Sequence, residues 1–226
     1  MQWLAECDRR RFLRVAVAAA AQGLVCGARS ASAESRQRDG QPDLDAAFDP
    51  RLVYAATQDN GIHVPAVNFG RLKPQFHRTL VRASEDMPEN TIVIRLAEHH
   101  LYFVRSDRLA FRYGIGVGRD GFSWTGAGII SHQKAWPSWT PPGDMIERLP
   151  ELQRYSKGMP GGLGNPLGAR ALYIYQGGAD TLYRVHGTPE WWSIGKSMSS
   201  GCIRMINQDA IHLGRHVENG TPIIVS

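Results

Sequence analysis

The chain is expected to be mainly β, an antiparallel β-sandwich with one short helix, and three observations predict it. From Thr91 onward, short runs of β-branched and aromatic residues recur between turn residues, the pattern of strands in a sandwich. Only one stretch, close to the carboxyl end, spaces its apolar residues for a helix face. Once an amino-terminal export segment is set aside, about 193 of the 226 residues remain, a length suited to one domain with a single core.

Residues 1–33 read as that export segment. Asp8-Arg9-Arg10-Arg11-Phe12-Leu13-Arg14 precedes an apolar run from Val15 to Val25, and Ala31-Ser32-Ala33 supplies small residues for cleavage before Glu34. Paired arginines followed by Phe-Leu resemble a twin-arginine signal. The rival reading is a membrane anchor, but the run is about half of the roughly 20 residues a spanning helix needs. Cys26 follows Val25, where lipidation would want a small residue. The expectation is a cleaved signal and no stable membrane span afterwards.

Residues 34–50 are polar and include Asp39-Gly40-Gln41-Pro42, which reads as a flexible linker. Residues 51–89 mix Leu52-Val53-Tyr54 and Phe76 with scattered Pro and Gly and read as an extension that packs on the domain formed by 90–226. Strands are expected over Thr91–Leu96, His100–Arg105, Ala110–Val117, Ala171–Gln176 and Thr181–Val185, with a last one over Pro222–Val225. The helix is expected between an Asn207 N-cap and a stop at Asn219-Gly220, with Ala210, Leu213, Gly214 and Val217 on one face.

Charge and cysteine usage narrow the function. The formal net charge is +5, but residues 1–33 carry five Arg against Glu6 and Asp8, so about +2 belongs to the rest. No stripe of Lys and Arg interleaved with aromatics is present, which sets nucleic acid aside. Two of the three cysteines, Cys7 and Cys26, leave with the signal, so Cys202 has no internal disulfide partner. A lone thiol in an oxidising compartment invites oxidation, which a merely structural position would avoid by using Ala or Ser.

Cys202 also sits in a distinctive setting. His186-Gly187-Thr188 is followed, after Trp191, Trp192 and Ile194-Gly195-Lys196, by Ser199-Ser200-Gly201-Cys202-Ile203-Arg204. A thiol reacts as the thiolate, so a catalytic cysteine needs an imidazole to take its proton and backbone donors for the oxyanion. His186 is the candidate base. Gly201 tolerates positive φ, and a turn there is expected to aim the Gly201 and Cys202 N–H groups at one point. A helix starting just after the turn would lend its dipole to the thiolate.

This His-Gly-Thr to Ser-x-Gly-Cys-x-Arg stretch resembles the L,D-transpeptidase catalytic domain family, and the likeness extends over roughly residues 90–226. It continues through Asn207, Asp209, Leu213 and Gly220-Thr221-Pro222, and upstream through Trp136-Pro137 and Asn165-Pro166-Leu167-Gly168. The resemblance implies Cys202 as nucleophile and His186 as general base, with Ser199, Ser200, Gly187, Thr188, Arg204 and Trp139 supporting the loop or the substrate. Many members carry a second histidine where this chain has Ser200. Arg204 has two readings, holding loop carbonyls or binding a substrate carboxylate. The group orienting His186 is expected to be a backbone carbonyl.

Other patterns were weighed against plainer readings. Gly116-x-Gly118-x-x-Gly121 is followed by Phe122-Ser123-Trp124 rather than a helix, so it is no dinucleotide fingerprint. His212 and His216 lie four apart, but Leu213 stands where a zinc-protease helix has Glu, so they read as packing or surface residues. Gly158–Gly168 lacks a nucleotide loop's Gly-Lys-Ser/Thr and reads as a mobile loop. Trp136 to Pro142 reads equally as packing or as the wall of a groove, capping the thiol together with Met145–Arg148.

The resemblance implies an exported, periplasmic cysteine acyltransferase acting on peptidoglycan, with tetrapeptide stems as donor and, as acceptor, an amine of another stem or of an outer-membrane protein. No metal or organic cofactor is expected. The alternatives are a hydrolase of the same substrates, with water replacing the amine, and a non-catalytic wall-binding module.

Overall fold

In the computed structural model, residues 48–119, 124–199 and 201–226 are described. The export signal and most of the 34–50 linker therefore lie outside the described residues, as do Ser200 and Gly121. The strands are β1 (Thr57–Asp59), β2 (Ile62–Val64), β3 (Thr79–Arg82), β4 (Thr91–Arg95), β5 (His100–Val104), β6 (Leu109–Gly114), β7 (Val117–Gly118) and β8 (Gly126–Ala135). After them come β9 (Arg170–Gln176), β10 (Ala179–Thr188), β11 (Ser197–Ser199), β12 (Ile203–Ile206) and β13 (Pro222–Val225). Among the described residues three short α-helices accompany them, α1 (Pro50–Val53), α2 (Gly143–Arg148) and α3 (Asn207–Gly214).

Nine strands form one sheet in the order β12-β10-β9-β8-β13-β4-β5-β6-β3. Pairing is antiparallel except between β10 and β12 and between β13 and β4. The sheet folds over on itself. Gly116, just past β6, exchanges backbone hydrogen bonds with Arg204 of β12 at 2.9 and 2.8 Å. Ile92, Leu101 and Phe111 from one half thus share a core with Leu172, Val185 and Met205 from the other, and the mainly β sandwich is the predicted fold.

The period of two that places these side chains also places the site. Val185 is opposite Ile203, and both point into the core. Their neighbours His186 and Arg204 are opposite one another and point to the outer face. Cys202 immediately precedes β12, two residues from Arg204, and so lies on the same side.

Several expectations are corrected. Asn207 is the first helical residue rather than a side-chain cap, and its Oδ1 accepts from Ala169 N at 2.9 Å. The helix also ends earlier, at Gly214, although Ala210, Leu213 and Val217 face the main core as expected. β12 intervenes between Cys202 and α3, about 13 Å of extended chain, so the helix dipole does not reach the thiol. The helices α1 and α2 were not anticipated. At the end of the predicted linker, Phe48 packs edge-on against Phe111, and Asp49 caps α1 by accepting from Arg51 N at 2.9 Å. The loop before Gly168 is pinned, because buried Asn165 donates to the carbonyls of Pro137, Met159 and Pro160.

The segment before residue 90 is integral to the sheet. It contributes edge strand β3, and Tyr54, Val67, Leu72 and Phe76 form a second core with Ile194 and Ile206. Two buried polar clusters bolt it down. Tyr54 Oη donates to Asp209 Oδ2 at 3.2 Å and accepts from Arg78 N at 2.8 Å, with the Arg78 guanidinium 3.6 Å from Asp209. Asp59 takes two hydrogen bonds from Arg170, at 2.6 and 2.8 Å, and one from Trp136 Nε1 at 2.9 Å.

Candidate active site

On the outer face of β10 and β12, His186, Cys202, Arg204, Thr188 and Ser199 open onto one cleft of about 580 Å³. Its far wall is the segment between β8 and β9. Trp139, Met145, Leu149, Leu152, Tyr155 and Met159 supply apolar surface, and Trp139 is tied to Met159 by backbone hydrogen bonds in both directions. Of the two readings of the Trp136–Pro142 segment, each applies to one tryptophan: Trp136 packs inside and Trp139 lines the cleft.

His186 is buried, and its Nδ1 lies 2.6 Å from Gly187 O. A carbonyl can only accept, so Nδ1 carries the hydrogen and Nε2 is the basic atom of the neutral ring. Burial, opposed by the carbonyls of Gly187 and Pro166 and aided by the Arg204 charge, lowers the His186 pKa to about 4. Burial pushes the Cys202 thiol up, opposed by the Arg184 backbone amide and by the Arg184 and Arg204 guanidinium groups. At neutral pH the pair is therefore thiol and neutral imidazole rather than thiolate and imidazolium.

The turn before the thiol depends on glycine and on Ser199. Gly201 has φ +128°, in the region that favours glycine. Ser199 Oγ donates to Cys202 O at 2.6 Å and accepts from Gly201 N at 3.2 Å. Of the two expected oxyanion donors, the Gly201 N–H points to Ser199 Oγ. Cys202 N–H remains the candidate donor.

Gly187 lies where a Cβ would overlap Asn207 Oδ1 and sit 2.9 Å from Ala169 N, so the carbonyl that orients the imidazole is held by close packing. Thr188 Oγ1 accepts from Glu190 N at 3.1 Å and shapes the exit from β10. Among the described residues the Arg204 side chain makes no hydrogen bond to a loop carbonyl, the first of its two readings. Its guanidinium donates to Glu190 Oε2 at 2.8 Å at the rim of the cleft.

Sequence reasoning overlooked Glu190 and Arg184, and it named Asn165 only within the family likeness, without its anchoring role. Glu190 sits between the His-Gly-Thr and the tryptophan pair with no spacing that marks it. Asn165 had a usable signal, an Asn-Pro step inside a Gly-rich loop that needs a polar anchor. His212 and His216 are packed together and against Phe111, and His212 Nδ1 lies 2.8 Å from Tyr113 Oη.

A mainly β sandwich with a thiol and a fixed-tautomer imidazole on one cleft defines a class of candidate thiol-dependent acyl-transfer domains. The L,D-transpeptidase catalytic domain family matches residues 89–225, and the chain belongs to that family. Among its relatives, the probable L,D-transpeptidase YcfS of Escherichia coli (strain K12) is 33% identical over 149 residues, covering 61% of this chain and 44% of that protein. The probable L,D-transpeptidase ErfK/SrfK of Salmonella typhimurium is 31% identical over 160 residues, covering 66% and 50%. A crystal structure from Brucella melitensis described as a probable carnitine operon oxidoreductase caia is 44% identical, covers 68% of this chain and 96% of that one, and has a TM-score of 0.48. The chain spans about half the length of the curated relatives it matches.

Proposed function

We propose that the protein is an exported L,D-transpeptidase that acts on peptidoglycan stem peptides through a Cys202 acyl-enzyme. The observation that carries the reading is the placement of Cys202 and His186 on one cleft, with Gly187 O holding the imidazole in the tautomer a base requires. Cys202 Sγ attacks the carbonyl of the L-centre of diaminopimelate in a donor tetrapeptide. As the S–C bond forms, the thiol proton passes to His186 Nε2. The Cys202 N–H donates to the developing oxyanion. Collapse expels D-Ala as an amine that takes the proton from His186. An acceptor amine then attacks the thioester and gives its proton to His186, which passes it to the departing sulfur and restores the thiol.

Trp139, Met145 and Leu149 keep water from the thioester, which favours an amine as acceptor over hydrolysis. Arg204, held at the rim by Glu190, is placed to meet a carboxylate of the stem. The acceptor is an amine of a second stem or of an outer-membrane protein. Residues 1–33 direct export to the periplasm, and no described helix is long and apolar enough to cross a membrane.

The test is incubation of the protein with tetrapeptide muropeptides, with and without an added amine, followed by mass spectrometry. Cross-linked dimers or amine adducts are the expected products. Tripeptide alone would make the protein a hydrolase, and unchanged but bound muropeptide would make it a binding module.

A further inference from the structure

Next to the catalytic cleft lies a second cavity that this chemistry does not use. Thr188, Pro189 and Glu190 line the cleft, and the chain that follows, Trp191 to Lys196, lines the second cavity, of about 400 Å³. Its floor is apolar and firmly built from buried Leu72, Phe76 and Ile194. Gly195, at φ +78°, lies so close to the Phe76 ring that a Cβ would overlap it. Around this floor stand Arg71, Lys73 and Lys196, all exposed. Among the described residues none of the three forms an ion pair. Trp192 is 52% exposed, and Trp191 stands edge-on to it at 5.9 Å.

Three unpaired cations around an aromatic floor leave both charge and apolar area without a partner. We propose that this cavity is a subsite for an anionic glycopeptide strand, with a pyranose ring laid against Trp192 and carboxylates of the attached peptides met by Arg71, Lys73 and Lys196. The polymer's identity as peptidoglycan rests on the proposed function. One strand then spans both cavities, its sugar in the second and its stem peptide in the cleft one residue away. Arg71, Lys73 and Phe76 come from the segment before residue 90, which gives that segment a role in substrate capture beyond packing.

The test uses the full chain carrying Cys202→Ala, so that no acyl transfer consumes the probe, and measures binding to soluble peptidoglycan strands. Arg71→Ala/Lys73→Ala/Lys196→Ala should weaken binding roughly tenfold or more, the combined loss of three exposed charge contacts, and added salt should weaken binding by the parent chain. Trp192→Ala, at an exposed site, should weaken it as well and serves as the second variant should the triple variant not fold. Unchanged binding in either folded variant would overturn the inference. So would binding of poly-glutamate or single-stranded DNA as tight as that of the strands, since the sugar would then contribute nothing. Failure of transpeptidation by the unsubstituted chain is a separate result that counts against the proposed function.

Discussion

The cleft and the polar bolt beneath α3 bury similar chemistry and put it to opposite uses. Both hold ionisable groups with shifted pKa values. In the bolt, Tyr54, Arg78 and Asp209 are turned toward one another, and His212 nearby is enclosed by Phe111, Tyr113 and His216. In the cleft, the His186 Nδ1 is held by the Gly187 carbonyl, and the ring and Cys202 face the same open volume. Enclosure by mutual partners gives a fastener, whereas an imidazole and a thiol that share an open cleft can react.

That contrast is sharpest in substitutions. Cys202→Ala and His186→Ala should each reduce muropeptide turnover by about 1000-fold or more, and the double variant should be little worse, because the pair acts as a unit. Cys202→Ala should leave the unfolding midpoint nearly unchanged. Asp209→Ala should do the reverse. It leaves the buried Arg78 without a counter-charge at a cost of roughly 3–5 kcal/mol in denaturant unfolding, while the folded fraction keeps its activity. Tyr54→Phe removes a donor to Asp209 and the acceptor of Arg78 N and should cost less, about 1–3 kcal/mol.

What was legible beforehand follows the same division. Strands such as Thr91–Arg95 are continuous β-branched runs because both their faces are covered, Ile92 and Ile94 by one core and Val93 by another. β8 escaped notice because its outer half, Ser131-His132-Gln133-Lys134, is polar and its start carries Gly126 and Gly128. β12 is only four residues long and was hidden inside the nucleophile motif. The thiol and its base were legible because their chemistry demands particular residue types. The Tyr54–Asp209 bond joins residues 155 apart, and no local pattern announces it. At Gly201 the positive φ was legible, whereas the bond from its N–H to Ser199 Oγ was not.

A smaller effect separates the groups by pH. Burial lowers His186 to about 4 and His212 to about 3, so near pH 5 the unfolded chain binds protons at these positions that the folded chain refuses. Their contribution makes stability rise with pH up to the unfolded value of about 6.5 and fall as acid is added. Burial raises Asp209 to about 6, so the folded chain holds a proton that the unfolded chain has released. That contribution is present at low pH and is lost as pH rises through about 6. Burial lowers His100 as well, so the histidines outnumber the aspartate and stability should increase between pH 4.5 and 5.5. Asp209→Asn removes the opposing group and should make the slope steeper in denaturant titrations.

The central claim is that a neutral His186 takes the Cys202 proton during attack, and intact-mass spectrometry of carbapenem acylation across pH tests it most directly. A strained lactam offers the thiol the same kind of carbonyl as the donor amide, and the shielded thioester should persist. One drug mass should add to the full chain and none to Cys202→Ala. The acylation rate should stay substantial at pH 6, well below the raised thiol pKa, and collapse only as pH falls through about 4, where His186 gains its proton. An adduct on Cys202→Ala, or a rate that tracks thiol ionisation alone and ignores the titration of His186, would contradict the account.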